Sequence, residues 1–193
     1  MAWRAAAAAA ALFLSLAACT PTETTRPPAF DPAAYPPIRL AVGSIEVASA
    51  AQYPAGMGFI ARRRSEQLSQ DAQAFLRSRL VAAGGSDFAR ATVEEASLVE
   101  QARPTSEGVI ASATEPNWEM VGVLALKVAI VDGLGIEQSF ASSRVEIKRT
   151  ISQRAGVEAK DNFARTITAD LITASSRELE TSIDQNLADR KAP

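Results

Sequence analysis

Histidine is absent from the 193 residues, and cysteine occurs once, at Cys19. The first absence removes Ser-His-Asp and Cys-His catalysis together with the commonest transition-metal ligand. The second removes any intrachain disulfide and any multi-thiolate zinc site. A surplus of cations is missing too: 20 Lys+Arg stand against 22 Asp+Glu, for a formal charge of −2. A chain without a basic balance has no electrostatic case for nucleic acid, whose binding is dominated by phosphate neutralisation. Nor is there a Walker-type loop, and no serine sits in a Gly-x-Ser-x-Gly or Ser-x-x-Lys context. Gly133-x-Gly135 lacks the helix and third glycine of a dinucleotide loop, and a hairpin turn explains it. The expectation is a protein that is not an enzyme and carries no cofactor and no metal.

Two charged features remain. Glu94-Glu95 offers paired carboxylates, but neighbours on a strand point to opposite faces and converge only through a bulge. Arg62-Arg63-Arg64 is the densest charge run. It could dock phosphates or lipid headgroups, or lie on a solvated face just before a helix.

The chain opens on Met1-Ala-Trp-Arg4, followed by an apolar run from Ala5 to Leu16. Such a run makes a helix of roughly 18 Å, short of the roughly 30 Å hydrocarbon core of a bilayer. A positive start, a short apolar region and small residues at its end describe an export signal rather than a membrane span. Leu16-Ala17-Ala18-Cys19 resembles the lipobox of bacterial lipoproteins. The resemblance implies that residues 1–18 are a signal peptide cut before Cys19, with the Cys19 thiol lipidated and the new amino group acylated. A mature protein of 175 residues would follow. Three acyl chains hold firmly, because stable anchoring needs more than one. The next residue is Thr20, where an Asp would resemble the inner-membrane retention signal. The expected place is therefore the inner leaflet of the outer membrane, facing the periplasm.

Between Thr20 and Pro37 stand Pro21, Pro27, Pro28, Pro32, Pro36 and Pro37. Proline at this density favours extended polyproline II, and residues 19–37 are expected to be the lipidated Cys and a tether, whose residues 20–37 reach roughly 55 Å; the other reading is an unstructured leader of no further consequence.

A single folded domain is expected over 38–190. Ile38–Val47 reads as a first strand with a bulge near Gly43-Ser44 that turns two apolar phases to one core. Residues 48–64 read as a loop. Ser65 is a candidate N-cap for a helix to about Ala83, with Leu68, Ala72, Phe75, Leu76 and Leu80 on one face and Gly84-Gly85 as its stop. Further strands are expected over 88–101, with a bulge at Glu94-Glu95, over 118–131, and over 137–152. Residues 102–116 separate the first two, and Asp132-Gly133-Leu-Gly135 joins the last two as a hairpin. A long helix from Asp161-Asn162 to about Asp189 closes the chain, with Phe163, Ile167, Leu171, Ala174, Ile183 and Leu187 as its apolar stripe.

The order β-α-β-β-β-α predicts an α+β fold, a two-layer α/β sandwich. Its mostly antiparallel four-stranded sheet would carry both helices on one face. If Met120, Leu124, Leu126, Val128 and Ile130 face those helices, then Val121, Val123, Ala125, Ala129 and Val131 face away. Contiguous exposed apolar surface marks a partner or lipid contact, so these five residues are a candidate docking face unless the tether or the 102–116 loop covers them.

The pattern from Ile38 to Leu187, with the phrases Ile38-Arg-Leu-Ala-Val-Gly-Ser-Ile-Glu-Val47, Arg79-Leu-Val-Ala-Ala-Gly-Gly85 and Ala91-Thr-Val-Glu-Glu-Ala-Ser97, resembles small envelope lipoproteins. Two groups share the topology: the auxiliary lipoprotein of ABC-type lipid transport systems, and the lipopolysaccharide-assembly lipoprotein that plugs an outer-membrane barrel. The resemblance implies an accessory of an envelope protein complex, joined to membrane lipid through acylated Cys19. A lipid or small-hydrophobe binding module, using the outer sheet face or a gap between sheet and helices, is the alternative.

Overall fold

The computed structural model describes residues 30–31, 34–102, 117–152 and 154–192. The expected signal peptide, Cys19 and most of the 102–116 loop lie outside the described residues. The elements run β1 (Ile38–Leu40), β2 (Ser44–Ser49), α1 (Phe59–Arg79), β3 (Leu80–Ala82), β4 (Phe88–Ala102), β5 (Asn117–Val131), β6 (Glu137–Ser152) and α2 (Val157–Asn186), with a 3-10 turn at Ala188–Arg190.

The main sheet has the order β2-β4-β5-β6. β4, β5 and β6 form an antiparallel meander, as three strands with hairpin-length connections favour, and β2 lies parallel to β4 because a helix intervenes. Met120, Leu124, Leu126, Val128 and Ile130 of β5 are fully buried against Leu68, Phe75 and Leu76 of α1 and Ile167, Leu171 and Ile183 of α2. Gly122 lets α2 come this close, since a Cβ there would stand 2.7 Å from Leu171 Cδ1 and 2.9 Å from Ile167 Cγ2. The result is the expected two-layer α/β sandwich.

The expected first strand is two strands in two sheets. β1 pairs parallel with β3 in a small separate sheet, and β2 joins the main one. The break falls at Ala41-Val42-Gly43, where the chain crosses the Gly84-Gly85 segment. Gly43 N–H donates to the Asp87 carbonyl, and Gly84 N–H donates to the Val42 carbonyl. Leu80–Ala82, expected as the helix end, is extended instead because Ile38–Leu40 offers it a parallel partner. The C-terminal tail fastens the same corner: Ala41 N–H donates to Arg190 O, and Ala192 N–H to Arg39 O.

Helix α1 begins six residues before the expected cap, at Phe59 after Gly58. Ser65 is therefore inside the helix and fully buried, where its Oγ accepts the Leu98 N–H at 2.9 Å. That bond serves β4 beyond the end of β2, where the ladder has run out and a buried donor needs a partner. Helix α2 likewise starts earlier, at Val157, and ends at Asn186. Its Ser182 Oγ accepts the Ser142 N–H at 3.0 Å, so the helix packed on β6 takes up one donor of that strand's outer edge.

The folded body also takes in part of the segment expected as tether. Phe30 is buried and stands edge-to-face on Phe75, with ring centroids 5.7 Å apart. Tyr35 packs on the same ring at 5.3 Å and its hydroxyl meets Thr173 Oγ1 at 2.8 Å. Tyr35 thus spans from α1 to α2.

Candidate functional site

The outer face of the sheet is not the open apolar surface expected. Val121, Val123, Ala125, Ala129 and Val131 do share the face away from the helices, yet each is at most 8% exposed. Longer side chains from the flanking strands roof them. Glu95 and Arg144 both lie opposite Ala125, on β4 and β6, and join at 3.1 Å across it. Lys127 bonds Glu137 at 2.9 Å and lies 4.6 Å from the Phe140 ring centre. The small side chains of Ala125 and Ala129 leave room for aliphatic stems whose charged ends stay in water. A partner arriving on this face meets ion pairs before it meets valine.

The Glu94-Glu95 bulge is present, as a register shift between Val93 and Glu95. It does not make a carboxylate pair: Glu95 takes Arg144, and Glu94 is exposed. Among the described residues, no group of three or more His, Cys, Asp or Glu is placed to hold a metal.

A different site emerges on the helix side. Because β2, β4 and β6 run the same way and each helix returns antiparallel to the strand before it, α1 and α2 lie parallel with both N-termini at one end. Ion pairs tie them there, Arg64 to Asp161 at 2.9 Å, and at the other end, Arg79 to Glu180 at 2.7 Å. Between these ties the aromatic set of Phe30, Tyr35 and Phe75 covers the distal half of the interhelical groove. The N-terminal half stays open as a cavity of about 240 Å³. Its lining is mixed: Ile60, Val157, Ala164 and Leu98 are apolar, Arg63, Arg64, Asp161 and Arg165 are charged, and Gln67, Asp71 and Thr168 stand toward the aromatic set. Phe59, Ile60 and Val157, at 73%, 58% and 74% exposure, form an apolar lip on the first turns of the two helices.

The mouth carries charges of both signs. Gly58 and Gly156 cap the helices without any side-chain acceptor, and α1 has no acid in its first turn. The arginine run falls inside α1 rather than before it, and its three members have three fates. Arg62 pairs with Glu66 four residues on, at 2.9 Å. Arg64 bonds Glu100 at 2.6 Å as well as Asp161, and Lys160 joins Glu100 at 2.8 Å. Arg63 lines the groove with no ion pair among the described residues, and so does Arg165 on the opposite wall. The groove was not legible from sequence, because its two walls lie about a hundred residues apart. The weak signal available was Phe59-Ile60 beside an arginine run.

The four-charge cluster sets a pH dependence. Burial pushes the Glu100 carboxyl up, but hydrogen bonds and charge from Lys160 and Arg64 more than offset it and hold it below its ordinary 4.5. For Arg64, burial works against the charged form, and Glu100 and Asp161 outweigh it to raise the guanidinium. A carboxylate whose folded pKa is depressed contributes stability that is fully present above the unfolded value and is lost as pH falls through the folded one. The gap in thermal midpoint between wild type and Glu100→Gln is thus expected to be widest near neutral pH and to close as pH falls below 4.5. A gap that grows on acidification would contradict the assignment.

No protein-family model matches this chain, and no curated protein matches it. Among solved structures, similarity is found to a minor lipoprotein from Acinetobacter baumannii, at 15% identity and TM-score 0.39, over 80% of this chain and 98% of that one. The rare lipoprotein B from Shewanella oneidensis is similar at 13% identity and TM-score 0.42, over 74% and 96%. An uncharacterized lipoprotein B from Nitrosomonas europaea is similar at 15% identity and TM-score 0.40, over 76% and 86%. At this level of identity and superposition nothing about ligand or partner transfers. Among the described residues, no helix is long and apolar enough to cross a membrane.

Proposed function

We propose that this chain is a membrane-anchored, non-enzymatic lipoprotein of the bacterial envelope, an accessory to a lipid transport or assembly complex, and that it acts by holding an apolar ligand in the interhelical groove. The observation that carries the ligand-binding part is the open half-groove itself: an apolar strip of Ile60, Leu98, Val157 and Ala164 between charged side chains, an exposed apolar lip, and aromatic side chains of the same chain already seated in its other half. Concave apolar sites with a few polar groups are the usual form of small-molecule sites. The envelope part rests on the signal-like N-terminus and on Cys19, whose acylation would hold the domain at a membrane surface. Of the envelope roles, auxiliary to an ABC-type lipid transport system is preferred, because the topology resembles that group.

The test is in-cell crosslinking from a photoreactive residue at position 60, followed by identification of the adducts. The expected result is a lipid-mass adduct together with an inner-membrane permease or lipid-transfer subunit. Recovery of a β-barrel with lipid would move the role to outer-membrane assembly. Protein adducts without lipid would defeat the ligand-binding role. Incorporation of a labelled fatty acid into the wild type and its loss in the Cys19→Ser chain are expected in the same cells, and equal labelling of both chains would defeat the anchor at Cys19.

A further inference from the structure

We infer that the ligand of the groove is a single-chain anionic amphiphile, its acid group held between Arg63 and Arg165 and its alkyl chain laid over Ile60, Val157 and Leu98. The inference rests on the proposed ligand-binding role and specifies the ligand class.

Charge complementarity supplies the first argument. Of the cations lining the groove, Arg64 is spent on Glu100 and Asp161, whereas Arg63 and Arg165 have no carboxylate partner among the described residues. They stand on opposite walls, one on each helix. Arginine binds carboxylate or phosphate through several N–H donors at once, and one arginine from each wall would close on a single acid group. Helix α1 starts with neither a side-chain cap nor an acid in its first turn, so its N-terminus adds positive potential, whereas α2 carries Glu158 there.

Polarity along the groove fixes the direction of the chain. Asp71 is buried at the inner end, beside Thr168, where it accepts from Gln67, so that end is polar and offers an alkyl chain no apolar surface. The apolar surface lies the other way, at Ile60 and Val157, with Phe59 extending the lip beyond them. The acid therefore stays between the arginines, and the alkyl chain runs outward over the exposed apolar residues.

Size supplies the last constraint. A cavity of about 240 Å³ lies below the roughly 300–1,000 Å³ of pockets that enclose a whole drug-sized ligand. That volume suits one alkyl chain, with its end projecting past the lip, better than the two chains of a phospholipid.

The probes are decanoate and decan-1-ol, which share a ten-carbon chain and differ in charge, titrated calorimetrically into the full chain. Decanoate is expected to bind about tenfold more tightly than decanol, a difference of about 1.4 kcal/mol. In the Arg63→Ala/Arg165→Ala variant the two probes should bind within about twofold of each other, while Arg63→Lys/Arg165→Lys keeps most of the preference for the acid. Equal binding of both probes by the wild type would overturn the anionic class and leave the ligand-binding role standing. Binding of neither probe would overturn both. An Ala variant that keeps the full preference would place the acid group elsewhere.

Discussion

Replacing Gly85 by Ala is expected to cost about 2–4 kcal/mol of folding stability. Gly85 has a φ of +148°, a conformation that side-chain-bearing residues rarely adopt. Space is closed as well: a Cβ there would lie 2.7 Å from the Ala41 carbonyl oxygen and 3.2 Å from the Val42 Cα. Both obstacles are backbone, so no rotamer change relieves them. The same contact is guarded from the other side, where a Cβ on Gly43 would lie 2.7 Å from the Gly85 oxygen. Gly84 is the control. Its φ is also positive, at +100°, but a Cβ there meets nothing within 4 Å. Gly84→Ala should therefore cost only the conformational term, about 1–2 kcal/mol. Urea denaturation of the two variants separates the contributions. If Gly85→Ala is no worse than Gly84→Ala, the close crossing of the chain at Gly43 and Gly85 is not what holds this corner.

The second large effect concerns Arg79, at the far end of the groove. Its side chain is 3% exposed, and Nη2 donates to Glu180 Oε2 at 2.7 Å, while Nε and Nη1 are buried with no hydrogen-bond partner. A buried guanidinium with one partner is poorly compensated. Glu180→Ala should cost about 3 kcal/mol, at the low end of the range for breaking a buried pair, because Glu180 is itself half exposed. Arg79→Met removes the charge and keeps the aliphatic stem, so its cost should stay within about 1 kcal/mol of wild type or become a gain. Denaturant midpoints of the two single variants and the double variant decide the matter. If Arg79→Met proves the costlier change, the Arg79–Glu180 pair is a net stabiliser of the helix pair.

Much of the architecture is legible from local chemistry. The alternation of Val145, Ile147 and Ile151 against Arg144, Glu146 and Lys148 gives β6. Asp132-Gly133-Leu-Gly135 gives the hairpin, where Asp132 Oδ1 accepts the N–H groups of Leu134 and Ile136 and Gly135 takes a φ of +84°. The phase change around Glu94-Glu95 marks a bulge that the β4–β5 register reproduces. Each of these features depends on residues close together in the chain.

The differences arise where distant segments decide. Leu80-Val81-Ala82 has a helical neighbour upstream and apolar side chains that suit either state, and Ile38–Leu40 pulls it into a strand. The start of α1 is hidden because Gly56 and Gly58 read as loop and three successive arginines read as solvated surface. The outer face of β5 looks open on a strand-by-strand reading, because the charged side chains that roof it come from β4 and β6. Phe30 and Tyr35 are single aromatic residues in a proline-rich stretch, and their partner Phe75 is some forty residues downstream. The groove inherits all of these: its walls, its lip and its aromatic end belong to four separate stretches of sequence.

The most direct test of the groove as a ligand site is native mass spectrometry of the protein extracted from its own envelope, compared with the Ile60→Asp/Val157→Asp variant. Both substitutions place an acid in the first turn of a helix, where the dipole favours it, so the fold should be retained while the apolar walls are lost. The expected result is a non-covalent ligand mass on the wild type, beyond any acyl groups on Cys19, and its absence from the variant with unchanged circular dichroism. A wild type that carries no such mass, or a variant that carries the same mass in equal amount, would contradict the groove as the site of function.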